Sequence, residues 1–113
     1  MAELLYYQTA DARQPFDRWY EELDTAAALK VNTALTRLAA GNTSNVKPVG
    51  EGVSELKIDF GPGYRVYFGQ RGGDPERLDK VILLVGGTKR TQAADIKRAK
   101  AYWSDYRTRT RRA

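Results

Sequence analysis

The sequence predicts an α+β fold: a sheet built around a β-hairpin, with two successive helices before it and one after. Three observations carry this. Hydrophobic spacing alternates between the two-residue period of strands and the three-four period of helices. The elements it yields run strand, helix, helix, three strands, helix. The stretch Val53–Phe68 reads as two strands joined by a Gly-Pro-Gly turn.

Glu3–Thr9, ELLYYQT, carries apolar and aromatic side chains on both faces, which suits a strand covered on both sides. Asp11 can cap the next element, and Pro15 fits the first turn of a helix in which Phe16, Trp19 and Leu23 recur at helical spacing. Asp24 is a second cap. It opens a helix over Thr25–Ala40, with Ala28, Val31, Leu35 and Leu38 on one stripe and Gly41 as its stop. Two helices in succession read as an αα-hairpin. Asn42–Gly52 is polar and holds Pro48 and Gly50, so it reads as a connection.

In the hairpin, Val53, Leu56, Ile58, Phe60, Tyr64, Val66 and Phe68 stand mostly two apart, with Glu55, Lys57, Asp59, Arg65 and Tyr67 between them. One face is expected as core and the other as a charged, concave surface. Gln70–Asp79, with two glycines and a proline, reads as a mobile loop. Lys80–Val85 is a continuous apolar run, the mark of a strand buried on both faces, which Gly86 and Gly87 end. Thr88, Lys89 and Arg90 emerge where it finishes. A last helix starts at Thr91 or Gln92, with Ile96, Ala99, Trp103 and Tyr106 on its apolar stripe and Lys97, Arg98 and Lys100 off it. Residues 107–113 have no apolar anchor and are expected as a flexible basic tail.

At 113 residues the chain is expected to form one domain, 1–113, that buries roughly two thirds of its unfolded surface. No apolar run approaches the ~20 residues that span a bilayer, and the N-terminus lacks the pattern of an export signal, so a cytoplasmic protein without membrane contact is expected. There is no cysteine, hence no disulfide, thiolate nucleophile or thiolate metal site. There is no histidine either, which removes the commonest general base and metal ligand. Acid–base chemistry is left to carboxylates, Lys, Tyr and Arg, and neither metal nor cofactor is expected. Charge is uneven: of the net +5, residues 87–113 hold nine Lys or Arg against two Asp. Such a basic end suits a polyanion or an acidic protein partner.

Four stretches in order carry a family resemblance: the helix PFDRWYEELD, the strand GVSELKI, the turn and strand GPGYRVYF, and VILLVGGTKRTQAADIKRAKAYW. Together they resemble the RelE/ParE superfamily of type II toxin-antitoxin toxins, most closely the HigB-like, phage-derived addiction module killer subgroup. The resemblance implies a RelE-like fold, a small twisted, mainly antiparallel sheet packed with an N-terminal helical hairpin and a C-terminal helix. It also implies a toxin neutralised by a cognate antitoxin, a small protein expected to bind DNA through a helix-turn-helix. The toxin itself would meet DNA only through that partner. In the better-known branch the toxin enters the ribosomal A site and cuts mRNA without a metal. By the family's motifs, Glu55 and Lys57 fall on its acidic-basic strand pair, Arg65 on the arginine of its YRV strand, and Lys89 and Arg90 on the basic pair after the last strand. Lys57 stands where the motif more often has Arg, and nothing here matches the C-terminal aromatic or His that some members use as general acid or base.

The residues support a compatible chemistry. Attack of a ribose 2′-hydroxyl on the adjacent phosphate needs a base, charge stabilisation on the phosphate and an acid for the leaving 5′-oxygen. Arg65 suits the second role, since a planar guanidinium binds two phosphate oxygens. Glu55 is a base by type, weakened by neighbouring cations; Lys57 can act as acid or base if Arg65 and Lys89 crowd it. The sequence leaves that choice open. The candidate catalytic set is therefore Lys57, Arg65, Lys89 and Glu55, with Arg90, Lys97 and Arg98 for RNA. Alone, a Glu, a Lys and an Arg on adjacent strands are more often a cross-strand ion-pair ladder. The expected function is a ribosome-dependent mRNA endonuclease; the alternatives are a ParE-like inhibitor of DNA gyrase without catalysis, or an inactive antitoxin-binding relic.

Overall fold

The computed structural model describes residues 2–71 and 79–112. The elements are β1 (Glu3–Tyr6), α1 (Pro15–Glu21), α2 (Thr25–Ala39), β2 (Val46–Gly50), β3 (Val53–Ile58), β4 (Tyr64–Arg71), β5 (Lys80–Thr88), a 3₁₀ turn (Lys89–Thr91) and α3 (Gln92–Arg112). The strands form one mixed sheet in the order β1-β5-β4-β3-β2, with β1 parallel to β5 and the other neighbours antiparallel. The fold is a compact α+β unit; its radius of gyration, 13.2 Å, is close to that of a globule of this length.

β5, the most apolar strand, lies inside the sheet as its composition requires, buried from Val81 to Gly87. Both faces of the sheet are covered. On one, Leu56, Ile58, Val66, Phe68, Val81 and Leu83 pack with Phe16 of α1 and Val31, Leu35 and Leu38 of α2. On the other, Val53, Tyr67, Ile82, Leu84 and Val85 pack with Ala99 and Trp103 of α3. β1 serves both: Leu4 joins the first core and Leu5 the second.

α2 shows why its ends fall where they do. Asp24 Oδ1 accepts from Ala27 N at 2.8 Å, satisfying one orphan donor of the first turn. At the other end Gly41, at φ +100°, lets its own N–H reach Leu38 O and that of Asn42 reach Arg37 O, the paired bonds of a Schellman stop.

Five expectations need correction. Residues 46–50, read as connection, form strand β2; Pro48 is tolerated because β2 is an edge strand, where a missing N–H breaks no ladder. Asp11 does not cap α1. It ties a loop by accepting from Thr9 Oγ1 and pairing with Arg13 at 3.2 Å, while Gln14 precedes the helix without a side-chain cap. Gly86 and Gly87 do not end β5, which continues to Thr88. Residues 107–112, expected as a flexible tail, continue α3 to Arg112. Of the expected loop, Gln70 and Arg71 belong to β4 and residues 72–78 lie outside the described residues.

The two glycines owe their identity to packing. β4 and β5 shift register between Tyr67 and Phe68, leaving Leu84 as an extra residue that re-phases the rest of β5. Gly86 therefore meets α1 and Gly87 meets α3. A Cβ on Gly86 would lie 2.2 Å from Trp19 Cε3, and one on Gly87 would lie 1.8 Å from Asp95 Oδ2. On β4, Gly69 accommodates Trp103 in the same way.

Candidate functional site

The hairpin register sets the site. Leu56 pairs Val66, so Glu55 stands opposite Tyr67 and Lys57 opposite Arg65; on the outer side Lys47 stands opposite Glu55. Lys47, Glu55 and Tyr67 thus form one row across three strands, beneath the start of α3. The charged face is roofed, not open: Glu55 is 1% exposed and Arg65 6%.

Glu55 is held on three sides. Its Oε2 accepts from Gln92 Nε2 at 2.7 Å, and its Oε1 lies 3.6 Å from Arg65 Nε and 3.7 Å from Lys47 Nζ. Arg65 in turn donates from Nη1 to Gly63 O at 2.8 Å, an oxygen that also accepts from Lys89 N at 2.8 Å. Gly63 sits at φ +78°, and a Cβ there would crowd Arg65 Nη1 at 3.2 Å, so the turn needs glycine to bring the guanidinium and the 3₁₀ turn together.

Beside Glu55, two buried polar atoms, Arg65 Nε and Tyr67 Oη, have no well-formed hydrogen bond among the described residues. Burial, then the charges of Glu55 and Asp95, push the Tyr67 hydroxyl far above its ordinary range, so it remains a neutral phenol and cannot serve as a base. Asp95, 4% exposed, closes the cluster from above. Its Oδ2 accepts from Thr91 Oγ1 at 2.5 Å and its Oδ1 pairs with Arg98 at 3.3 Å.

Outside this buried cluster a cleft of about 320 Å³ opens between β2, β3 and β4, with Lys47, Glu55, Lys57 and Arg65 among its walls. Lys57 is exposed, and its backbone N–H binds Asn45 O at 3.0 Å, fixing the residues before β2 as the cleft's rim. Like charges directly opposite on neighbouring strands are destabilising by themselves. Lys57 and Arg65 stand in that relation, with Lys47 nearby and one buried carboxylate to balance them. The cleft is shaped and charged for an anion.

The structure thus brings Glu55, Lys57 and Arg65 together and sets the backbone of Lys89 beside Arg65. The rest do not join them. Arg90 is exposed on the 3₁₀ turn and Lys97 is exposed on α3; neither lines the cleft. Arg98 is directed to Asp95 and to the Tyr102 ring, 6.0 Å away. Missed in the sequence were Lys47, hidden in a stretch read as loop, and Gln92 and Asp95. Gly87, just before the helix, was a signal of close approach by α3. Among the described residues no group of three or more acidic side chains is gathered as metal ligands would be.

No protein-family model matches the chain. Over 86 residues it is 45% identical to an uncharacterized protein of Haemophilus influenzae, a match covering 75% of this chain and 82% of that one. The chain belongs to the family of that protein. In this member of the family the roofed Glu55–Arg65 pair and the cleft beside it are the most developed concentration of buried charge among the described residues.

Proposed function

We propose that this protein is a RelE/ParE-superfamily toxin of the HigB-like subgroup, acting in the cytoplasm as a ribosome-dependent mRNA endonuclease and held in check by a cognate antitoxin. In that reading α1 and α2 are the superfamily's helical hairpin. The observation that carries it is the Lys57–Arg65 pair, two cations opposed across strands, Lys57 exposed in the cleft and Arg65 buried in its wall. An RNA phosphate placed between them removes the repulsion and gains charge-assisted hydrogen bonds. The 2′-oxygen then bonds to phosphorus as the bond to the 5′-oxygen breaks, leaving a 2′,3′-cyclic phosphate. Arg65 stabilises the charge that develops on the phosphate, a contribution of about 10²- to 10³-fold for one such donor. Lys57, the exposed cation of the pair, donates a proton to the departing 5′-oxygen, and the proton of the 2′-hydroxyl passes to water. Glu55, occupied by three partners, orients Arg65 and Lys47 and does not take the proton itself.

That occupation of Glu55 also favours a second reading, a ParE-like inhibitor that binds DNA gyrase through the same cationic surface without catalysis. Purified protein tested on programmed ribosomes and on gyrase separates them. Cut mRNA with cyclic phosphate ends and unaffected supercoiling support the nuclease; inhibited supercoiling with intact mRNA refutes it.

A further inference from the structure

A second cleft, of about 430 Å³, lies on the other side of α3, between that helix, α1 and the loop before it. Asp95 divides the two: one carboxylate oxygen faces Arg98 in this cleft, and the other sits over Gly87, the strand neighbour of Arg65. Its floor is apolar and aromatic. Trp19 lies against Gly86, bare of any Cβ, with Val85 beside it, and Tyr102 forms a wall, its ring stacked at 5.0 Å on Tyr7. Its rim carries three guanidiniums. The Arg18 side chain makes no hydrogen bond or ion pair among the described residues, Arg13 engages Asp11 through Nε, and Arg98 engages Asp95 through Nη1 and lies over the Tyr102 ring at 6.0 Å, which leaves guanidinium N–H groups for a ligand. The carboxylates of the lining are Asp11, already held by Arg13 and Thr9, and Glu22.

We infer that this cleft binds one nucleotide unit, its base against Trp19 and Tyr102 and its phosphate between Arg13, Arg18 and Arg98. A guanidinium fork matches phosphate geometry, and aromatic faces accept bases of any sequence. The volume falls within the range of about 300–1,000 Å³ typical of small-molecule sites. The site stands apart from the RNA chemistry proposed above, and its test reads binding only. Adenosine 5′-monophosphate titrated into the full-length protein is expected to quench tryptophan emission saturably, with a calorimetric stoichiometry of one. Adenosine and inorganic phosphate should each bind at least tenfold more weakly. Arg13→Ala with Arg18→Ala, both exposed, should lower affinity at least tenfold, and Trp19→Phe should abolish the quench while keeping most of the heat. Lys97→Ala, at a position exposed on α3 and lining neither cleft, should leave the titration unchanged. Phosphate binding as tightly as the nucleotide, undiminished affinity in the double variant, or binding of an acidic peptide without binding of the nucleotide would each overturn the inference.

Discussion

Glu55 shows how much one side chain can organise. Replacing it with Ala strands a nearly buried guanidinium, an exposed lysine and a glutamine amide, and breaking a buried ion pair from one side costs about 3–5 kcal/mol. Lys47→Ala removes only the exposed partner, 64% accessible, and is expected to cost under about 1 kcal/mol. Urea unfolding of the two variants checks the contrast; equal losses would mean Glu55 is not the hub. Gly87→Ala tests the roof, since its Cβ collides with Asp95. The expected loss is about 1–3 kcal/mol, as for overpacking elsewhere. At this scale the sequence showed that Glu55, Lys57 and Arg65 share a face, because a two-residue period and a turn suffice for that. It did not show that the face is covered. That depends on where α3 begins and on the bulge at Leu84, which lies within an uninterrupted apolar run and leaves no mark on the hydrophobic pattern.

Among the elements, α3 departs furthest from expectation, and Tyr7 explains its length. The Tyr7 hydroxyl donates to Asp105 at 2.6 Å, while Arg109 pairs with Asp105 at 2.8 Å, lies over the Tyr7 ring and donates to Gln8 O. The last turns of a polar helix are thereby fastened to the segment after β1, a long-range contact that local composition cannot reveal. Burial, then the hydrogen bond and charge of Asp105, push the Tyr7 hydroxyl up to about 12. The folded state therefore holds this proton more tightly than the unfolded chain. The stabilisation is complete below the unfolded value of about 10 and is lost as pH rises through about 12. Tyr67 acts in the same direction. Urea midpoints are expected to fall across that interval in the native protein and to fall less in Tyr7→Phe; parallel curves would contradict the role given to Tyr7. β2 escaped sequence reading for a different reason. Pro48 argues against a strand anywhere but at an edge, and nothing local marks these residues as an edge.

On the scale of the whole molecule, one sheet carries two unlike surfaces divided by the start of α3: a lysine- and arginine-lined cleft beside the hairpin, and an aromatic, arginine-rimmed cleft beside α1. The α+β class, the interior position of β5 and the apolar stripes of the helices were legible in hydrophobic period alone. The separation of the basic residues into two sites was not, since it follows from packing across the sheet. The central claim, that the hairpin cleft holds a scissile RNA phosphate, is tested most directly at Lys57. This side chain is exposed and lines the cleft, so its removal probes chemistry with little effect on folding. In a cleavage assay on programmed ribosomes, Lys57→Ala is expected to unfold at a urea midpoint at or above the native one, since the cation opposite Arg65 is gone, while cutting mRNA about 10²- to 10⁴-fold more slowly, the range for loss of a positioned acid or base. Cleavage at the native rate by this variant, or none by the native protein, would contradict the claim.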